Sequence, residues 1–167
     1  MTGMSLLTLC EWLEDTQVAL LVRESAYGFP IVVAVHILGL TVSVGLLIWF
    51  DLRLLGVSMR HSPLSAVWRR LMPWSLCGFV VMFASGGLLF TAFATMAYGN
   101  LAFRIKMAAM ILAGANAFFY HLVTERGIAQ WDIRVPPPRA ARLAGLMSIL
   151  LWTTVILSGR MMSYTMF

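Results

Sequence analysis

Three histidines are the residues best suited to chemistry in this chain: His36, His61 and His121. His36 sits in Val35-His36-Ile37-Leu38-Gly39, inside a long uncharged run. An ionisable side chain at membrane depth is a functional-site hypothesis by default, because an unpaired polar group in hydrocarbon is costly. Its imidazole suits axial ligation of a haem iron, or a hydrogen bond to another helix. Gly39 follows at i+3 and Ser43 at i+7, so one face beside His36 lacks bulk. That space admits a flat macrocycle, or equally a close helix neighbour. His121 closes the third apolar run. Counting back from it at helical spacing gives Ala117, Gly114, Met110 and Met107, a stripe expected to point into the bundle. His61 lies among Arg60, Ser62 and Pro63 and reads as a solvated loop histidine, or as a second inner ligand beside His121.

Sulfur and positive charge gather at the level of His36. Met96, Met107, Met110, Met161 and Met162 fall at the same end of the spans, and thioether sulfur is a soft ligand suited to Cu(I). Methionine is also ordinary filler in apolar helices. Lys106 and Arg160 arrive at this end from the third and fourth spans. They suit the propionates of a haem, which want paired positive charge, or they snorkel to the interface. Asp51 and Arg53 are expected to form a local ion pair at the opposite end. The chain has no Ser-His-Asp set, no HExxH, no CxxC and no Gly-rich phosphate loop, so hydrolase and nucleotide chemistry find no support.

The elements that must position these groups are membrane helices. Of 167 residues 60% are apolar and 11% charged, with a mean hydropathy of +0.86. A soluble domain carries about a quarter charged residues, so a water-soluble enzyme, a disordered chain and a disulfide-stapled secreted domain are excluded. Uncharged runs at 25–50, 71–103, 107–124 and 143–159 predict an all-α, polytopic four-helix bundle with spans at about 29–51, 74–96, 104–124 and 143–163. Pro30 falls in the first turn of the first span, Pro73 precedes the second, and Gly99-Asn100 turns the chain after it. Residues 1–24 form a separate outer segment. Within it Leu6, Leu9 and Leu13 share a helical face beside Trp12, which predicts one amphipathic helix over Leu6 to Leu21 lying on the membrane surface.

Charge sets the orientation. The net charge is +5, and 11 of 12 cations are arginine, most of them in two loops. Arg53, Arg60, Arg69 and Arg70 lie in the first long loop; Arg126, Arg134, Arg139 and Arg142 lie in the second. The other side holds Arg23, Arg104, Lys106 and Arg160 with four acidic residues. Eight cations against four put the long loops in the cytoplasm and both termini outside. This is a topology signal, and nucleic acid is not an expected partner; membrane lipid is. Cys10 and Cys77 fall at opposite ends and cannot bridge within one chain.

Depth then limits ligation. His36 lies about 9 Å into its span and His121 about 30 Å into a span running the same way, so one iron cannot take both. An outer haem would use His36 with either a second chain's His36 or Met107 or Met110; an inner one would use His121, with His61. Ala109, Ala113 and Ala117 recur every four residues, and Gly39 and Gly45 open the first span. Such small residues predict close helix association and a homodimer, or docking to a partner membrane subunit, with the first span near the interface.

Several stretches carry a family resemblance. Glu24-Ser25, Tyr27-Gly28-Phe29-Pro30, His36-Ile37-Leu38-Gly39-Leu40 and Asp51-Leu52-Arg53-Leu54-Leu55-Gly56 resemble a family of small four-helix bacterial inner-membrane proteins known as a domain of unknown function. Asn100 through Lys106, Asn116 through His121 and Ser158-Gly159-Arg160 are similar to it as well, so the likeness covers about residues 24 to 161. Val33 departs from the pattern, where an acidic residue is common, and no polar partner for His36 comes from that position. More distantly the chain resembles CopD-type copper-export membrane proteins and four-helix b-type cytochromes. Residues and resemblance together lead to the expectation of a haem-b-binding electron-transfer or anchor subunit working with a quinone or a periplasmic redox protein. A copper-handling protein using His36 and the outer methionines, and a cofactor-free structural subunit, are the alternatives.

Overall fold

The computed structural model describes residues 6–124, 131–133 and 136–165, and they are all-helical. Arg126 and Arg134, counted above for orientation, lie outside the described residues. The helices are α1 (Leu6–Glu14), α2 (Gln17–Glu24), α3 (Gly28–Leu54), α4 (Leu64–Ala92), α5 (Ala94–Gly99), α6 (Leu101–Phe119) and α7 (Arg139–Thr165). A π-helical turn, Tyr120–Thr124, continues α6. Four helices are long and apolar enough to cross a membrane: α3, α4, α6 with the start of its turn, and α7. With 27, 29, 22 and 27 residues they run 1.5 Å per residue, or about 33 to 43 Å, and so overreach a ~30 Å hydrocarbon core. Their outer faces carry exposed Leu38, Trp74, Val80, Ile111, Phe118 and Leu157. Such a surface suits lipid, because a soluble monomer rarely exposes so much contiguous apolar area.

Glycine and serine set how close the helices come. On Gly39 of α3 a Cβ would stand 2.8 Å from the Met82 nitrogen, and on Gly78 of α4 it would stand 2.6 Å from the Ser43 nitrogen. The two backbones therefore touch, and the Ser75 hydroxyl donates to the Ser43 carbonyl at 2.8 Å across the contact. α6 meets α7 through buried Ala109 and Ala113, and the Asn116 amide donates to the Ala144 carbonyl at 2.9 Å. Gly145 of α7 brings that helix against the Asp51 carbonyl and Leu54 of α3. Two apolar clusters fill the bundle. Val44, Met82, Ala109, Ala113, Trp152 and Val155 form the central one. Phe50, Leu54, Leu64, Val67, Tyr120, Trp131 and Ala141 are among the second, at the end of α3 away from His36.

Several boundaries differ from the sequence expectation. α4 starts at Leu64 after Pro63, ten residues before the expected Trp74, and Pro73 lies inside it. A membrane helix tolerates the lost hydrogen bond of an internal proline, and here a cap from another segment fixes the earlier start. At the far end α4 stops at Ala92, and α5 takes over because the Glu14 carboxylate accepts from both the Thr95 N–H (2.8 Å) and the Thr95 hydroxyl (2.7 Å). The outer segment is two helices rather than one: the chain breaks at Asp15-Thr16, and the Thr16 hydroxyl caps α2 by accepting from the Ala19 N–H at 3.3 Å. Cys10, Ala19 and Val22 are buried against the bundle, while Leu6, Leu7, Trp12 and Leu21 stay exposed. Asn100 opens α6 as expected of a turn residue, its side chain accepting from the N–H groups of Ala102 and Phe103.

Candidate functional site

His36 stands on α3 facing α4. Its Nδ1 is 2.9 Å from the Met82 carbonyl oxygen and 3.2 Å from the Ser85 hydroxyl. A carbonyl oxygen only accepts, so Nδ1 carries the proton, and in the neutral ring Nε2 keeps a free lone pair. Ser85 is held in turn by donating to the Val81 carbonyl at 2.6 Å. The ring lies over Gly86, where a Cβ would stand 3.0 Å from Cε1. Any other residue at 86 would push the imidazole away. The side chain of Lys106 on α6 runs beside Gly159 of α7. One lone pair and one hydrogen-bonded N–H thus lie where α3 meets α4.

The other expected residues divide. Gly39 is buried, and the space beside it is filled by the α4 backbone. Arg160 is not directed at Lys106: it is exposed, donates to the Tyr164 hydroxyl at 2.9 Å and stacks over that ring. Met110 packs on the central cluster, and Met107 is exposed. The stripe of Met107, Gly114 and Ala117 faces out of the bundle, against expectation. Ala109, Ala113 and Asn116 face α7 instead, because the amide hydrogen bond and the small side chains fix the rotation of α6. His121 lies in the π-helical turn, half-buried, with its ring 4.7 Å from Trp68 and 5.4 Å from Tyr120. His61 is exposed in the loop between α3 and α4.

A second polar site lies at the end of the bundle away from His36, where the sequence predicts an Asp51–Arg53 ion pair. That pair does not form. Residues at i and i+2 of a helix point to different sides, and these two take different partners. Arg53, fully buried, donates from Nε to the Ser62 carbonyl (3.1 Å) and from Nη2 to the Asp132 carbonyl (3.2 Å). Asp132 then caps α4: its carboxylate accepts from the Ser65 N–H and the Ser65 hydroxyl, each at 2.7 Å, and its carbonyl accepts from the Leu64 N–H. Asp51, only 3% exposed, turns to α7 and accepts from the Ser148 hydroxyl. Asp51 Oδ2 and Arg53 Nη1 have no further hydrogen-bond partner among the described residues. Gly56 adopts a positive φ of 75° and packs on Pro136 and Pro137, which ties both long loops together.

Residues 10–165 match the model of a family described as Family of unknown function (DUF6644). The chain belongs to this family. The match takes in both polar sites and reaches further toward either end than the stretches quoted from sequence. No curated protein and no solved structure matches the chain. For a DUF6644 member, the Asp51-to-Gly56 stretch has a definite structural role in this fold: its arginine, its glycine and its acidic residue each fasten a different neighbour. Sequence reasoning missed Asp132 and Ser148, which carry no local signal. The one available hint was the density of charge at the end of an apolar helix, in Asp51-Leu52-Arg53.

Proposed function

We propose that the chain is a haem-b-binding electron-transfer or anchor subunit of the bacterial inner membrane, with His36 as an axial ligand and both termini periplasmic. The observation that carries this reading is the His36 ring. A metal-ligating histidine characteristically donates its second ring N–H to a carbonyl or carboxylate, which fixes the tautomer and aims the free nitrogen. Met82 and Ser85 hold Nδ1 in that way, Gly86 leaves the ring room, and Nε2 remains for a ligand. Lys106 fits the group's acidic side chains as a nearby cation. Bound haem would supply one-electron chemistry. The chain's own part is to orient one imidazole and to surround it with apolar helix.

The distant likeness to four-helix b-type cytochromes supports this reading, and the likeness to CopD-type proteins supports copper at the same nitrogen. Among the described residues no three His, Cys, Asp or Glu side chains converge, so a copper site would draw on methionine or on a second chain. A second axial ligand for haem would come from a partner: another copy's His36 or a companion membrane subunit. A quinone or a periplasmic redox protein is the proposed electron partner. Protein purified from haem-replete cells, analysed by reduced-minus-oxidised spectroscopy, pyridine-haem quantitation and metal analysis, should show a b-type spectrum that His36→Ala weakens. Stoichiometric copper without iron would select the copper reading. A colourless, metal-free preparation would leave a cofactor-free structural subunit.

A further inference from the structure

We propose that the side of the bundle between α4 and α6 is a slot through which a flat tetrapyrrole reaches His36 edge-on from the lipid, which rests on the haem reading of that histidine. The long helices pack in the order α4, α3, α7, α6, each on the next, so α4 and α6 are the two ends of the row. Two aromatic pairs bridge these ends. Phe90 of α4 stacks on Phe103 of α6, with ring centroids 5.4 Å apart and planes within 11°. Trp68 of α4 meets His121, in the turn that continues α6, edge-on at 4.7 Å. Phe103 and His121 are 18 residues apart. That is five helical turns, so one face of α6 fronts α4 over about 27 Å. Trp68, Phe79, Gly86 and Phe90 share the answering face of α4.

Between the bridges this front is not filled. Met107, Gly114 and Ala117 lie on the same α6 face and are exposed, and a Cβ on Gly114 would meet no atom within 4 Å. Phe79, set against Trp152 of α7 at 5.1 Å, makes the back wall together with Met110. On the α4 side, the His36 ring is all that stands within 4 Å of the Cβ position of Gly86. His36 therefore borders the slot, over an α4 position on the Phe90 face. From the Phe90–Phe103 bridge toward the middle of the membrane, four residues lead to Gly86 on α4 and four to Met107 on α6. Each step is about 6 Å along its helix, so the imidazole and the start of the exposed α6 stretch share one depth.

Width selects the occupant. Both bridges are direct ring contacts, at 4.7 and 5.4 Å, and they hold α4 and α6 together at either end of the slot. A packed helix needs about 8–10 Å from its axis to each neighbour, so no helix of a second copy or companion subunit passes between them. A flat conjugated ring needs roughly 3.5 Å, the contact distance of carbon layers. Gly114 and Ala117 on one wall and Gly86 on the other keep that thickness clear. A lipid acyl chain is thin enough too, but it has no use for a ring nitrogen whose lone pair is free. Iron has, and the hydrogen bonds from Nδ1 to Met82 and Ser85 fix the ring that offers it.

The test titrates haemin into the full chain, purified without haem and held in nanodiscs. Binding is read by absorbance and by quenching of tryptophan fluorescence, and the unliganded protein by thermal unfolding. Wild type is expected to bind haemin, and His36→Ala to weaken it. Gly114→Leu and Ala117→Leu should each lower the affinity by roughly tenfold or more, because a branched side chain then stands where the flat ring would lie. Neither should change the melting point of the unliganded protein, since both positions are exposed. Ala108→Leu, exposed on the opposite face of α6, should bind as wild type. Should a leucine variant fail to fold, Gly114→Ala and Ala117→Val take its place and should give a smaller loss of the same sign. Equal affinity in wild type and every slot variant would overturn the slot, leave His36 as the ligand and assign the exposed α6 face to lipid chains. An equal loss in Ala108→Leu would overturn it as well. Failure of wild type to bind haemin would overturn the haem reading and the slot with it.

Discussion

Arg53 brings five N–H groups into a place that water does not reach, and two backbone carbonyls from distant loops take two of them. Removing the guanidinium strands both carbonyls, and each unmet buried acceptor costs about 1–3 kcal/mol. Arg53→Met is therefore expected to lose about 3 kcal/mol of stability. Arg53→Lys should recover little of it, since a point-charge ammonium cannot span the two carbonyls as a rigid fork does. Thermal unfolding in detergent reads both, and a lysine variant that melts with wild type would contradict this account. At the other end, His36 has one nitrogen in hydrogen bonds to Met82 and Ser85 and one with its lone pair free. Asn places an amide N–H near the position of Nδ1 but has nothing at Nε2. His36→Asn should hold its melting point to within about 1 kcal/mol, the value of one ordinary hydrogen bond, while losing any bound iron. An Asn variant that kept a b-type spectrum would remove His36 as the ligand. Much of this was legible in sequence, because a lone histidine in an apolar run is conspicuous. Its partner was not, since Met82 contributes a backbone oxygen that every residue possesses.

Helix pairs depend on where bulk is missing. Gly39→Ala would set a methyl 2.8 Å from the Met82 nitrogen, and Gly78→Ala would set one 2.6 Å from the Ser43 nitrogen. Backbone atoms cannot swing aside as a side chain can, so each change should cost about 1–3 kcal/mol. Gly45 has no atom within 4 Å of its Cβ position, and Gly45→Ala should be neutral or slightly stabilising. Three alanine variants with one melting point would mean that α3 and α4 do not touch there. α4 also needs Asp132: Asp132→Ala uncovers the helix start and should cost about 1–2 kcal/mol, read by the same unfolding measurement. The spans themselves were evident from uncharged runs, because lipid imposes their length. Their ends and rotations were less so. Pro73 looked like a boundary, yet an internal proline costs a membrane helix little once a cap is supplied from elsewhere. The outward turn of Met107, Gly114 and Ala117 was hidden because beyond Lys106 α6 is apolar on every side, and only Asn116 distinguishes its faces.

For the whole molecule, the question is which surface a second copy would use. The sequence pointed to Gly39 and Gly45 together, but the fold separates them: Gly39 is consumed by α4 within the chain, and Gly45 is not. Leu38, Val42 and Trp49 are exposed on α3, at helical spacing around Gly45. A dimer built through the first span therefore has to meet along Leu38, Val42 and Gly45, where a small residue permits close approach between larger ones. Cysteine placed at 38, 42 or 45 should crosslink between chains in native membranes, and cysteine at 39 should not. Cys77 is exposed on α4 and would give its own crosslinks, so it is replaced by serine first; Cys10 is buried and can stay. Crosslinking at 39 in preference to 45 would mean the α3–α4 contact opens in the assembly. Absence of crosslinks at all four positions, with a detergent-corrected mass of one chain, would exclude the dimer.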